Sequence, residues 1–389
     1  MRITRIETTP LILRATTPYH WAGRVDYGVY VVLVEVHTDQ GIVGVGESTA
    51  GFPPQATALA LQGVAERLVG ESVYDIERLI TGVRHLGSFN HAPRAANLTL
   101  AGLEMALWDA VGKAAGVPVY DLLGGAVRDS VDYFGFPQGD TADNLARDAR
   151  RLAGEGYGVI YTKAGFGADT DTENIAAVRE AIGDRRLRVD ANGAWSVEEA
   201  IRMIHRLQEF DLDWVEQPTP ETSLAALKHV RDSVPVPIAA DQSVYTVDDV
   251  YEVCRRRAAD VIVLSPHETG GILAFRRAAA IAMAAGVSIC LHGQGVSSIT
   301  DAAQHHLGLC TAGLTDGNQI MHQLFVEDLA MAPALDPVEG RIGRVEGPGF
   351  GVTVDREAVA RAAELAEHPE LLTVVESVAP RDEPHCDGG

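Results

Sequence analysis

The sequence predicts an α/β protein, a parallel barrel carrying an N-terminal α+β unit. Three observations predict it. From residue 131 onward, eight short β-branched runs alternate with amphipathic stretches of helical period, the pattern of a parallel barrel. From the second run on, the polar residue at the end of each recurs every 24–27 positions, the length of one strand, one helix and two loops. Ahead of the barrel, strand-like alternation gives way to long helical periodicity.

Met1 to Arg14 and Val29 to Val45 alternate apolar with polar residues, and Asp39-Gln40-Gly41 separates Val36 from Ile42, which reads as strands joined by hairpin turns. Between Gln55 and Ala115 the period is helical, with Leu100, Leu103, Leu107 and Val111 on one face. The barrel strands are expected at Val131–Phe134, Val159–Thr162, Leu187–Val189, Asp213–Val215, Val236–Ala239, Val261–Leu264, Val287–Leu291 and Gly313–Thr315. Residues 328–351 are rich in Pro and Gly, a helix is expected from Arg356 to Ala366, and residues 376–389 read as a flexible tail.

Composition narrows the function classes. With 46% hydrophobic and 22% charged residues the chain is too apolar for disorder. A net charge of −22 repels phosphate backbones and anionic bilayers, so neither nucleic acid nor membrane is expected as a partner. The N-terminus lacks the apolar segment of a signal peptide. The cysteines, Cys254, Cys290, Cys310 and Cys386, show no paired spacing, and a cytoplasmic location is expected.

The polar residues at the strand ends are Lys163, Asp190, Glu216, Asp241, Ser265, His292 and Asp316. All such positions open onto the C-terminal face of a parallel barrel, where loops form the active site. Any one of them alone reads as a helix cap or turn residue, but capping does not favour Lys or His. Asp190, Glu216 and Asp241 follow consecutive strands, and three carboxylates so close repel unless a cation neutralises them. Oxygen-only ligation selects a hard ion such as Mg²⁺; the alternative is a set salt-bridged to lysine. Such an ion stabilises charge developing on a substrate carboxylate as the adjacent carbon loses its proton. Lys163 is placed to take that proton as general base, with a pKa expected to be depressed by metal charge and burial. His292 lies across the barrel mouth as an acid/base group, and Asp316 is expected to accept a hydrogen bond from substrate.

At these motifs the chain resembles the enolase superfamily, in particular the mandelate racemase and muconate lactonizing enzyme group. The matching runs are Val189-Asp190-Ala191-Asn192-Gly193, Trp214-Val215-Glu216-Gln217-Pro218, Ala240-Asp241-Gln242-Ser243, Thr269-Gly270-Gly271 and Gly347-Pro348-Gly349-Phe350-Gly351. The resemblance implies a (β/α)₇β TIM-type barrel with an N-terminal α+β capping domain completed by the C-terminal segment. The expected domains are 1–126 for the cap, 127–325 for the barrel and 326–375 for the returning segment. It also implies Mg²⁺ at Asp190, Glu216 and Asp241, and two cap loops over the substrate, here residues 16–24 with Trp21 and Arg24, and residues 50–55.

This chain departs from the family pattern at three places. The usual Lys-x-Lys is Tyr161-Thr162-Lys163, Glu268 replaces an opposing lysine, and Ser265 replaces the aspartate that partners the histidine in racemase-like members. Tyr161, Asp316, Trp21, Arg24, Ser265 and Glu268 are expected to contact substrate. With no carboxylate partner foreseen for His292, the sequence favours it as an acid. The expected activity is therefore Mg²⁺-dependent dehydration of a small hydroxylated carboxylate; a racemase, epimerase or cycloisomerase and a non-catalytic carboxylate-binding barrel are the alternatives. A homo-oligomer is expected.

Overall fold

A computed structural model describes residues 1–49, 53–86, 89, 91–293 and 295–368. The tail 376–389, and positions 50–52 of the second expected cap loop, lie outside the described residues.

The cap begins with an antiparallel sheet of β1 (Ile3–Trp21), β2 (Arg24–Thr38) and β3 (Val43–Thr49), in that order. One face carries Val32, Val34 and Val36, which pack on α1 (Pro54–Ala65), α2 (Ile76–Arg84) and α3 (Pro93–Ala115). The backbones of β3 and α3 come into direct contact, since a Cβ at Gly44 or Gly46 would collide with the carbonyls of Ala106 and Gly102.

Following the short α4 (Val119–Leu122), β4 (Ser130–Asp132) leads into the barrel. Helices and strands then alternate: α5 (Ala142–Gly154), β5 (Val159–Lys163), α6 (Ala168–Ile182), β6 (Arg186–Asp190), α7 (Val197–Leu207), β7 (Leu212–Glu216), α8 (Leu224–Ser233) and β8 (Ile238–Ala240). They continue with α9 (Val247–Arg256), β9 (Val261–Leu264), the four-residue α10 (Pro266–Thr269), α11 (Ile272–Ala284), β10 (Ser288–Leu291) and α12 (Ser298–Cys310). Strands β5 to β10 form one parallel sheet in sequence order. Two further staves curl it shut: Gly135 bridges Ile160 of β5, Tyr133 bridges Asn318, and Leu314 bridges Ile289 of β10. All four residues of β9 and all five of β5 are buried, as parallel strands covered on both faces require. Side-chain caps fix the helix starts, with Thr141, Ser196, Ser223 and Thr246 each accepting from a backbone N–H in the first turn.

Beyond the barrel lie β11 (Ala330–Ala332), β12 (Arg341–Gly343), β13 (Thr353–Val354) and α13 (Arg356–Glu367). This last helix returns to the cap, where Ala366 packs with Ile12 and Arg356 reaches Glu35 at 2.6 Å. Buried cap carboxylates tie the parts together. Glu104 accepts from the N–H groups of Ile272 and Leu273 at 2.7 and 3.0 Å, Glu47 accepts from Ser297, and Asp109 accepts from Val45 and Phe350, both at 2.8 Å. Among the described residues, no helix is long and apolar enough to cross a membrane.

Candidate active site

The barrel register brings the predicted residues to one rim. Lys163, Asp190 and Glu216 end β5, β6 and β7 in mutual register, and Asp241 follows β8. The three carboxylates are at most 1% exposed, with one oxygen of each within 4.8 Å of the others. Asp190 is heavily engaged: it accepts from Lys163 Nζ at 2.6 Å, from the Tyr161 hydroxyl at 2.6 Å and from the Asn192 N–H at 2.7 Å. Asp241 is the opposite case, since neither carboxylate oxygen has a hydrogen-bond partner among the described residues although the side chain is buried. Such a group is costly unless a cation meets it.

The electrostatics agree. Burial, and then Asp190 and Asp241, push Glu216 well above the ordinary carboxylate range. Burial likewise pushes Asp241 up to about 7, although His292 opposes this. The protein alone does not sustain three negative charges here. An all-oxygen donor set with bare buried lone pairs fits a hard divalent ion.

Around Lys163 the structure corrects the sequence at Tyr161. In the protein alone, burial works against charge on the Lys163 amine, but Asp190, Tyr19 and Glu216 outweigh it and raise the pKa; the expected lowering requires the charge of a bound metal. Tyr161 is not placed as a substrate contact. Its hydroxyl reaches Asp190 and Glu216, the latter at 2.8 Å, and its ring stacks on Phe134 at 4.4 Å, because residue 161 points to the barrel axis one layer below Lys163. Lys163 Nζ thus sits among the rings of Tyr161, Phe136 and Tyr19 at 5.2, 5.7 and 5.9 Å.

On the opposite side, His292 follows β10 and lines the mouth. Its Nδ1 lies 2.6 Å from Glu268 Oε1 and 3.5 Å from Asp241 Oδ1. Burial opposes its charge, but Asp241 and Glu268 prevail and push it up to about 10. The imidazole therefore has a carboxylate partner that the sequence did not reveal. Ser265 is 1% exposed and caps α10: its hydroxyl accepts from the Glu268 N–H at 3.2 Å, and Glu268 Oε2 accepts from the Ser265 N–H at 2.6 Å. This capping box turns Glu268 back toward His292. Ser265 and Glu268 are consequently supports of the histidine rather than substrate contacts.

Asp316 is also misplaced by the sequence reading. Its carboxylate is 71% exposed and faces Arg186, the first residue of β6, so it lies at the floor of the barrel. Between Thr315 and Asn318 the chain loops out at Asp316-Gly317, and Arg188, buried and stacked 3.5 Å over Trp214, holds the Asp316 carbonyl at 2.6 Å. The stave actually ends at Gln319, which reaches the mouth and accepts from the Gly293 N–H at 2.9 Å.

Gln217 is another residue the sequence reading passed over. Its carbonyl oxygen accepts from Asp241 N and Ser243 N at 3.0 and 3.2 Å and so fixes the loop that carries Asp241. The available signal was its place in the Trp214-Val215-Glu216-Gln217-Pro218 run, directly after a predicted ligand.

The mouth opens into a chamber of about 1280 Å³ roofed by the tips of β1 and β2. The first expected cap loop is in fact the end of this hairpin, turning at Ala22-Gly23 with φ of 41° and 75°. Trp21 and Arg24 both line the chamber; the indole donates to Asp26 at 2.6 Å and the guanidinium lies 5.0 Å over the indole ring. Tyr19 reaches further down, edge-on to Phe136 at 5.6 Å.

A barrel with an α+β cap and three acidic strand ends defines a class, and comparison with known proteins gives the family. Residues 6–124 match the mandelate racemase / muconate lactonizing enzyme N-terminal domain, and residues 144–358 match the enolase C-terminal domain-like family. The chain belongs to the mandelate racemase/muconate lactonizing enzyme family of the enolase superfamily. It is 32% identical to muconate cycloisomerase 1-1 of Acinetobacter lwoffii over 92% of this chain and 96% of that one. It is also 32% identical to D-galactarolactone cycloisomerase of Agrobacterium fabrum, over 92% and 98% of the two chains. The crystal structure of an enolase from Thermobispora bispora, complexed with magnesium and formate, superposes with a TM-score of 0.86 at 30% identity, over 95% of this chain and 94% of that one. Other relatives carry names of epimerases and of a probable glucarate dehydratase. These similarities place the chain among enzymes.

Proposed function

We propose that the protein is a Mg²⁺-dependent enzyme in which Lys163 removes the α-proton of a small hydroxylated carboxylate and His292 protonates the departing β-hydroxyl, so that water is eliminated. Asp190, Glu216 and Asp241 would hold the ion. When bound, it supplies positive charge to the substrate carboxylate, which stabilises the enediolate formed on proton loss.

The observation that carries this reading is the placement of two different proton-handling groups on opposite walls of one mouth. Lys163 approaches from the Asp190 side within a collar of aromatic rings. His292 approaches from the Asp241 side, with Nδ1 committed to Glu268, which leaves Nε2 as its working atom. Glu268 holds the ring's orientation and favours its protonated form, the state in which it donates. The hairpin tip covers the substrate and limits water.

A second reading has its own support. A carboxylate on Nδ1 also strengthens a neutral imidazole as a base, and Lys163 and His292 on opposite faces would then invert the α-carbon. The two readings separate when the protein is incubated with Mg²⁺ and a panel of aldonic and aldaric acids in D₂O and followed by NMR. The expected result is a dehydrated keto acid. An α-deuterated epimer with no dehydrated product would establish the second reading instead, and a ring-opened or ring-closed product from a lactone would point to cycloisomerisation.

A further inference from the structure

The hairpin that roofs the chamber is interrupted part-way along its ladder. β1 and β2 pair in step up to Arg14 opposite Gly28, and again from Tyr19 opposite Asp26 to Trp21 opposite Arg24, so residues 15–18 of β1 stand opposite Tyr27 alone. A bulge bends the ribbon, and Pro18 within it has no N–H to give. Beyond the bulge the tip keeps three residue pairs, too short a hairpin to hold its own direction. At the break β1 changes partner. The Val326 N–H donates to the Arg14 carbonyl at 2.8 Å, Ala15 bridges Phe325, and the Thr16 hydroxyl donates to the Leu324 carbonyl at 3.1 Å. Glu327, only 2% exposed, completes the contact: its carboxylate accepts from the Arg14 backbone N–H and from Nε, both at 2.8 Å, and from Nη2. The stretch of chain just before it is chamber wall, since Gln319, Met321, Leu324 and Phe325 line the cavity. Asp301 ties that stretch to α12 by accepting from the N–H groups of Met321 and His322 at 3.2 and 3.0 Å.

We propose that Glu327 is a positioning residue for the lid: by gripping Arg14 through main chain and side chain at once, it sets the angle at which Tyr19, Trp21 and Arg24 lie over the chamber. The inference rests on that chamber being where the acid of the proposed reaction binds. Glu327 does not line the chamber itself, so its effect falls on holding the acid rather than on the proton transfers. The tip is fixed at two ends, by this pin behind it and by Tyr19 edge-on to Phe136 ahead of it. Parting a ring contact costs less than leaving a buried carboxylate without its donors, so the pin is the end that stays fixed as an acid enters or leaves. The Arg14 side chain is half exposed while the Glu327 carboxylate is buried, and the guanidinium fork therefore satisfies the acid and keeps its own outer side hydrated. A neutral amide at position 327 keeps an acceptor for the backbone and loses the charged fork, which frees the ribbon to twist at the bulge.

Backbone hydrogen exchange of the full-length protein, read by mass spectrometry, compares residues 19–26 of the tip with residues 29–36 in the body of the cap sheet. Glu327→Gln, which has nearly the same shape, is expected to speed exchange at the tip at least tenfold and to leave the body within about twofold. Arg14→Met removes the fork and keeps the main-chain bond; it is expected to speed tip exchange about threefold, and it serves as the second variant should Glu327→Gln fail to fold. The double variant is expected to match Glu327→Gln alone, because both changes cut one contact. For an acid that is turned over, Glu327→Gln should raise KM about tenfold and leave kcat unreduced, the split that loss of uniform binding gives. Tip exchange at the wild-type rate in folded Glu327→Gln, or in Arg14→Met where Glu327→Gln does not fold, overturns the pin. So does a body that speeds up as much as the tip, which would make Glu327 a general stabiliser, and so does a fall in kcat at unchanged KM. The exchange measurement needs no acid: a panel without turnover counts against the proposed reaction, and the pin is still decided.

Discussion

Two groups of buried carboxylates have the same residue types and opposite fates. At the junction of cap and barrel, Glu104 receives two backbone N–H groups and the Trp108 indole, and Asp109 receives two backbone N–H groups and Lys113. Each is satisfied by the fold itself. At the mouth, Asp190 is saturated by Lys163, Tyr161 and Asn192, while neither oxygen of Asp241 has a hydrogen-bond partner among the described residues, the His292 imidazole lying 3.5 Å away. A buried charge persists in a structure when something neutralises it. The junction carboxylates have their hydrogen bonds supplied by the protein and serve architecture; at the mouth the oxygens of Asp241 are left without a donor among the described residues. That difference, more than burial or pKa, separates the functional acids from the structural ones.

The largest expected effect falls on the mouth. Lys163→Ala should leave Mg²⁺ binding nearly intact and lower turnover by about 10²–10⁴-fold, as removal of a general base does; steady-state rates alongside calorimetric Mg²⁺ titration check both halves. Retained activity would remove Lys163 as the base.

The contrast between the two carboxylate groups is sharpened by a matched pair of substitutions. Asp241→Asn should abolish or greatly weaken Mg²⁺ binding while leaving the metal-free protein about as stable as the wild type, because the carboxylate removed is crowded by Asp190 and Glu216, and His292, 3.5 Å away, keeps its closer partner Glu268. Glu104→Ala should do the reverse. Two N–H donors at the start of α11 lose their acceptor, at about 1–3 kcal/mol for each donor left unpaired, with Mg²⁺ affinity little changed. Denaturant unfolding of metal-free protein together with Mg²⁺ calorimetry reads both. A metal-free Asp241→Asn protein that is markedly destabilised would show that the two groups are alike after all.

How much of this was legible follows the same line. The ends of β5, β6, β7, β8 and β10 were readable because strand, helix and loops repeat at nearly constant length, so Lys163, Asp190, Glu216, Asp241 and His292 fell into phase. The period failed at Asp316, where an Asp-Gly bulge inserts residues that a spacing count takes for the stave's end. Glu268 could not be recognised as the histidine's partner, since its direction depends on a four-residue helix and a capping box rather than on strand parity. The sequence shows a loop rather than a hairpin at residues 16–24 because the turn places Ala22, not Asn, Asp or Gly, at a positive φ. Motif alone aligns Tyr161 with a substrate-facing lysine, whereas the rigid phenol, which cannot bend as a lysine stem does, is held by Asp190 and Glu216.

The smallest effect concerns histidines that, unlike His292, have been made structural. His305 Nε2 donates to the Gly343 carbonyl at 2.7 Å, so its neutral ring accepts from the Tyr133 hydroxyl at Nδ1, at 2.8 Å; His306 Nδ1 accepts from the Tyr120 N–H at 3.1 Å. Burial lowers them to about 4 and about 3. Because these folded-state values lie below the unfolded value of about 6.5, the unfolded chain binds protons first as pH falls, so stability is lost from about pH 6.5 down toward 4. Each such histidine contributes a slope of about 1.4 kcal/mol per pH unit in that window. His306→Gln keeps an acceptor for Tyr120 without a titrating ring, and should remove about one proton's share of the acid slope measured by urea unfolding between pH 6 and 4. An unchanged slope would mean that His306 is protonated in the folded protein, and then burial alone would not distinguish the structural histidines from the one at the mouth; the carboxylate facing His292 would be the only difference left.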